Sequence, residues 1–202
     1  GTVNFGWPKM LLHLRIENTD GSVSEVVSDG DWKLSLDGPI LSNGEYDGEE
    51  YDARKEFPGW SKAGFDDATW RKAEVVSAPT GVVSAQMIEP IRVIQKLKPV
   101  ALAEVKPGVF TFDMGQNMVG WCQLKVRGAA GTTVQLRHAE TTNSDGTLYM
   151  ANLRGARVTD RYTLRGGGTE IWQPRFTYHG FRFVEVTGFP GKPTLNALEG
   201  EV

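Results

Sequence analysis

Cysteine is almost missing from this chain. Cys122 is the single one among 202 residues, so no intrachain disulfide can form, and cysteine usage leaves the compartment open. A basic excess is missing as well. Lys and Arg number 22 against 25 Asp and Glu, a formal charge of −3. That balance exerts no pull on a phosphate backbone and argues against a nucleic-acid partner. No apolar run approaches the roughly 20 residues a membrane helix needs, so no membrane partner is expected. The three histidines, His13, His138 and His179, show no metal-ligand spacing in sequence. Neither a G-x-S-x-G elbow nor an H-E-x-x-H helix occurs. Gly166-Gly167-Gly168 precedes no helical pattern, which excludes a phosphate cradle and reads as a hairpin tip. The sequence opens at Gly1 without a basic segment leading into an apolar one, and reads as an excised piece of a longer chain.

What is present is alternation. In Leu12–Glu17 the residues Leu12, Leu14 and Ile16 share one face, and His13, Arg15 and Glu17 the other. Asp20-Gly21 then signals a hairpin into Val23–Val27. Further strands are expected at Trp32–Leu36, Ile91–Ile94, Val109–Asp113, Cys122–Val126, Thr133–His138, Arg161–Leu164, Ile171–Tyr178 and Phe181–Val186. Cys122 falls opposite Trp121 and Gln123 in that alternation, which suits a small core residue better than a reactive thiol. Many short strands, Gly-rich turns and almost no helical period predict an all-β protein built as β-sandwiches.

Residues 37–62 are rich in Gly, Asp and Glu, and are expected to be loop with brief extended pieces. Gly64–Trp70 reads as one capped helical turn, with Asp66 or Asp67 as acceptor and Phe65 and Trp70 as anchors. Asn143–Thr147 has the chemistry of a hairpin turn. A second unit is expected to start near Ala78-Pro79, dividing the chain into 1–77 and 78–202. The first part carries only three or four convincing strands, too few to cover a two-layer core, so it is expected to be an incomplete sandwich.

Two groups of residues could carry chemistry. Asp47, Glu49, Glu50 and Asp52 crowd one acidic stretch, with Tyr46, Tyr51 and Trp60 nearby in sequence. One reading is a solvated acidic loop beside packing aromatics. The other is a carbohydrate site at Tyr46, Asp47, Glu50, Asp52 and Trp60, with aromatic rings as pyranose platforms and calcium as a candidate ion. No EF-hand spacing is present. The second group is Arg137, His138, Glu140, Arg154, Arg157, Asp160, Arg175 and His179. It holds an acid, a base and positive charge, but its bland reading is a structural polar cluster of satisfied histidines and Arg–carboxylate pairs.

Several longer motifs carry a resemblance. YDGEEYDAR (46–54), PGW (58–60), GFDDATWRKA (64–73), FDMGQNMVGW (112–121), RHAE (137–140), DGTLY (145–149), NLRGARVTDRYTLRGGG (152–168) and PRFTYHGFRFVEVTG (174–188) resemble bacterial α-L-rhamnosidases of glycoside hydrolase family 78. The resemblance runs through most of the chain from about residue 9. It implies the β-sandwich domains that precede the catalytic domain. Residues 1–77 resemble the C-terminal part of the N-terminal domain, and 78–202 the lectin-like sandwich that follows. The catalytic domain of that family is an (α/α) helical barrel, the implied partner within the same polypeptide. Its Cys-Pro-x-Arg and Gly-Trp-x-Gly-Asp signature is absent here, so the resemblance assigns no catalytic residue to this chain. It implies instead an accessory, structural role in a hydrolase of terminal α-L-rhamnosyl bonds. The alternative is a binding module for L-rhamnose or rhamnose-containing glycans, with calcium. Unpaired strand edges in an incomplete first unit also imply a tendency to dimerise.

Overall fold

The structure is a computed structural model that describes residues 9–78, 81–82 and 84–202. The chain is all-β. Among the described residues there is no α-helix, only three short 3-10 turns, at Ala53–Lys55, Ala151–Leu153 and Leu195–Ala197. It divides into two compact units, and the division is not a single cut. One unit holds the described residues up to Leu36 together with Pro58–Gln86, and the other holds Asp37–Phe57 together with Met87–Val202. Pro79, at the expected boundary, lies outside the described residues.

The first unit consists of two ribbons. β1 (His13–Glu17) and β2 (Val23–Val27) form the hairpin that Asp20-Gly21 announces, in register from His13 with Val27 to Glu17 with Val23. β3 (Lys33–Leu34) pairs antiparallel with Arg71–Lys72. Gly64–Trp70 makes a tight turn rather than a helical one: Asp66 Oδ1 accepts from the Ala68 amide, the Trp70 amide donates to the Asp67 carbonyl, and Phe65 and Trp70 meet edge to face. None of the described residues of this unit is buried, and Leu14, Ile16, Val26 and Val27 stay open to solvent. Among the described residues, its two-residue and five-residue strands do not close a core.

The second unit holds the core. Its strands begin with β4 (Ile40–Gly44) and β5 (Gly48–Asp52). After β6 (Arg71–Lys72), which belongs to the first unit, come β7 (Lys96–Leu97), β8 (Ala101–Lys106), β9 (Val109–Arg127) and β10 (Thr133–Ala139). β11 (Thr159–Thr163), β12 (Thr169–Trp172), β13 (His179–Thr187) and β14 (Leu198–Glu201) complete it. One layer runs β4-β5-β11-β10-β13-β9-β8, antiparallel except for the parallel β5–β11 pair. The other layer runs β12-β9-β14-β7. Alternate residues face inward from both: Phe112, Val134, Leu136 and Val184 from the first, and Cys122, Leu124, Trp172 and Leu198 from the second. Burying such side chains contributes about 1.5–3 kcal/mol each.

β9 belongs to both layers. Its first half pairs with β8 and β13, and its second half with β12 and β14. Between Asp113 and Met118 it bulges away from β13, whose Phe183 and Phe181 face those two residues. Gly120 marks the change of layer; a Cβ there would strike the Glu201 carbonyl. Ile91–Ile94 is not a strand: the Ile94 amide donates to the Val202 carbonyl, but Ile91 and Ile94 project into solvent and pairing begins only at Lys96. Gly166–Gly168 is not a hairpin tip either. β11 lies in one layer and β12 in the other, so the glycines carry the chain across. Glu170 fixes that crossing by accepting from the Arg165 and Gly166 amides and the Tyr162 hydroxyl.

Candidate functional site

The polar residues of the second unit converge at one end of its larger layer. There β10 finishes, β11, β5 and β13 start, and β9 bulges. His138, Asp160 and His179, each from a different strand, meet beneath this end, and all three are buried. His179 Nε2 lies 3.2 and 3.1 Å from the two Asp160 oxygens. The imidazoles stack, with centroids 4.4 Å apart. His138 Nδ1 donates to the Val158 carbonyl at 3.2 Å, which fixes its tautomer. His138 Nε2, 4.0 Å from Asp160 Oδ2, has no hydrogen-bond partner. Burial, and next the neighbouring His179, lower the His138 pKa to about 3, so its ring is neutral. Burial alone would raise Asp160. The His179 hydrogen bond, both imidazoles and the Glu49 amide outweigh it and hold the carboxyl below its ordinary range.

These three donors stand close enough to invite a cation. The site does not suit one. A sealed structural zinc site needs four ligands, and a catalytic one keeps an open position for water. Here only three donors meet, all buried, and His179 Nε2 already spends its proton on Asp160. The arrangement is a buried hydrogen-bonded array that fastens three strands.

Glu49 extends it. Its amide donates to Asp160 Oδ1 at 2.9 Å, and its Oε2 accepts from the Arg175 and Phe176 amides and from Asn43 Nδ2. Glu49 Oε1 has no partner, and burial raises this carboxyl. Gly48 makes the approach feasible: its φ is +97°, and a Cβ would collide with the Thr159 carbonyl. The acidic stretch is therefore not a solvated loop, as one reading of the sequence held. Glu49 and Asp52 are buried on β5, and Tyr51 lies in the core against Tyr162 and Trp172 at 5.9 Å from each.

The remaining candidates are placed as follows. Tyr46 is 73% exposed on the β4–β5 turn, beside exposed Asp47. Both Asp52 oxygens are taken by the Arg54 guanidinium. Trp60 is exposed in the first unit. A small cavity of about 40 Å³ is lined by Ser42, Asp47, Glu50, Arg157, Thr159 and Arg161, among others. It has room for a few waters, against about 300 Å³ or more for a small-molecule site. Arg137 pairs with Glu185 at 2.6 Å, on the side of β10 opposite His138. Glu140 is exposed and accepts from Asn117 and Asn152. Arg154 and Arg175 are exposed, and Arg157 lies 3.7 Å from Asp47. Sequence reasoning passed over Glu49 as a structural centre, although the Asp-Gly before it signalled a turn that would bring it inward.

Comparison with known families decides the class. The Bacterial alpha-L-rhamnosidase concanavalin-like domain matches residues 103–202, and the Alpha-L-rhamnosidase N-terminal domain matches 2–95. The chain belongs to the bacterial α-L-rhamnosidase family. An Alpha-L-rhamnosidase of Streptomyces avermitilis is 50% identical over 197 residues, which are 96% of this chain and 19% of that protein. The crystal structure of the S. avermitilis rhamnosidase complexed with L-rhamnose matches with a TM-score of 0.87 and 51% identity, over 95% of this chain and 19% of that one. The rhamnosidase structure from Dictyoglumus thermophilum matches with a TM-score of 0.92 and 44% identity, over 97% of this chain and 22% of that one. The chain thus spans about a fifth of the length of the relatives it matches.

Proposed function

We propose that this chain is a non-catalytic, structural portion of a longer α-L-rhamnosidase, whose catalysis of terminal α-L-rhamnosyl cleavage resides elsewhere in the polypeptide. The observation that supports this reading most is the fate of the polar cluster. Its one acid–base array, His138–Asp160–His179, is sealed in the core, and glycoside hydrolysis needs two carboxyl groups facing a sugar across about 5–9.5 Å. The exposed acids Asp47 and Glu140 are each tied to an arginine or to asparagine amides. Residues 1–77 are proposed as the C-terminal part of the N-terminal domain and 78–202 as the lectin-like sandwich, with the helical barrel of the same polypeptide as partner. The test is turnover of an aryl α-L-rhamnoside by the pure 202-residue chain. No product is expected. Turnover that disappears in Glu140→Gln or Asp160→Asn would overturn the reading.

A second reading, a carbohydrate-binding module, is favoured by exposed Tyr46 with Asp47 beside the small polar cavity. Calorimetry with millimolar L-rhamnose, with and without calcium, separates the two. Heat that Tyr46→Ala removes supports binding; no heat in either condition leaves the structural role.

A further inference from the structure

Above the buried array sits a rim. It is assembled from three segments: the β4–β5 turn, the loop 154–158 and residues 175–178. Hydrogen bonds hold them as one surface. The Val158 amide donates to the Tyr46 carbonyl and the Thr159 amide to the Asp47 carbonyl. Thr177 Oγ1 donates to the Gly44 carbonyl, Tyr178 Oη to Glu45, and the Arg175 and Phe176 amides to buried Glu49. What this scaffold presents is aromatic, with three arginines against two exposed acids, Glu45 and Asp47. Phe176 is 69% exposed, and Tyr46 and Tyr178 also face solvent. Arg154, Arg157 and Arg175 are exposed among them. Among the described residues neither Arg154 nor Arg175 makes a side-chain hydrogen bond or ion pair.

The loop is also strained. Arg154 has a φ of 57° and Val158 a φ of 42°. The left-handed region is hostile to a β-branched side chain, and such outliers persist only where surrounding contacts enforce them. Val158 is clamped on both sides: its amide by Tyr46, and its carbonyl by the amide and Nδ1 of His138. The core array therefore holds the arginine loop in a conformation the loop would not choose. Exposed aromatics and arginines on a preorganised support are the composition of a protein–protein hot spot.

We propose that this rim docks onto a carboxylate-bearing face of the remainder of the rhamnosidase polypeptide. The inference rests on the structural role proposed above. Two observations choose this occupant over a sugar. The surplus charge is cationic, three arginines against Glu45 and Asp47, which favours acidic groups, and the nearby cavity of about 40 Å³ is too small for a pyranose. The length of the relatives, about five times that of this chain, supplies ample polypeptide to cover the rim.

The test uses trypsin, since Arg154 and Arg157 are themselves cleavage sites. Cleavage after them is compared in the 202-residue chain and in the full-length protein. It is expected to be at least about tenfold slower in the full-length protein, because docking suppresses the opening that a protease requires. Arg175→Glu/Phe176→Ala, which changes two exposed side chains, is expected to restore fast cleavage in the full-length protein and leave the short chain's rate unaltered. Circular dichroism verifies that both variants stay folded. Equal cleavage in the two wild-type proteins would overturn the proposal. So would protection of the short chain by L-rhamnose alone, which would make the rim a sugar site. Turnover by the short chain would sink the structural role without altering this comparison.

Discussion

Acidification from pH 7 to pH 5 should loosen the second unit through His138. The ring is neutral in the folded state, with its pKa lowered to about 3 from an ordinary 6.5 by burial and by His179. In the unfolded chain it takes up most of a proton over this interval. The unfolded state then binds more protons than the folded one, so stability falls as pH falls. At about 1.36 kcal/mol per unit of pKa difference, the interval removes about 2 kcal/mol, and the full effect is reached only near the folded value. Asp160, whose pKa is lowered, loses its contribution only below its ordinary carboxylate range and does not interfere. Glu49 works in the opposite direction. Its pKa is raised by burial, so it stabilises the fold as pH falls toward its folded value. Glu49→Gln removes that offset and keeps an oxygen for the Arg175 and Phe176 amides. Hydrogen exchange of the β10 and β13 amides, corrected for intrinsic rates, is the assay, because it reads the second unit alone. Protection is expected to fall roughly 25-fold between pH 7 and 5 in Glu49→Gln, and by no more than that in the wild type. Protection that is flat or rises on acidification in both proteins would refute a neutral, desolvated His138.

Gly48→Ala should destabilise the second unit by at least about 2 kcal/mol in urea denaturation, through both the positive φ and the Thr159 carbonyl. Gly155→Ala, with open space around it, should stay within about 0.5 kcal/mol. Glu170→Ala should lose about 2–4 kcal/mol, since one carboxylate serves Tyr162, Arg165 and Gly166; a loss under about 1 kcal/mol would mean the crossing is held otherwise. The open faces of β1 and β2 should produce concentration-dependent association, visible as a rising mass in light scattering.

Much of the second unit could be read from alternation. Thr133–His138 declares its inward face because every second residue is apolar, and the structure buries Val134 and Leu136; in Phe181–Val186 the buried apolar residues Phe181, Val184 and Val186 do not share one parity, and the register shifts between Phe181 and Phe183. β4 and β5 were illegible for a physical reason. β5 reads Gly-Glu-Glu-Tyr-Asp, and buried Glu49 finds partners more than a hundred residues away, in Asp160 and the Arg175 and Phe176 amides. Ile91–Ile94 failed the other way: β-branched content suggests a strand, but no neighbour pairs with it until Lys96. Gly166–Gly168 looked like a tip because glycines mark turns without saying which layer the chain enters next. The sequence offers a structural reading of the histidines, but their meeting with Asp160 depends on the register of three strands, which composition does not encode. The two strained residues of the rim carry no sequence signal, since neither Arg154 nor Val158 is a residue type that favours positive φ.

The β4–β5 hairpin has a consequence for how such proteins can be rearranged. The backbone leaves the first unit after Leu36, lends two strands to the edge of its neighbour's sheet, and returns at Pro58. A recombination event that exchanged everything downstream of residue 86 would deliver a sheet with β11 stripped of its parallel companion, and with Asp160 deprived of the Glu49 amide. The two units are thus sewn into one heritable block, and shuffling should succeed only when both crossings travel together.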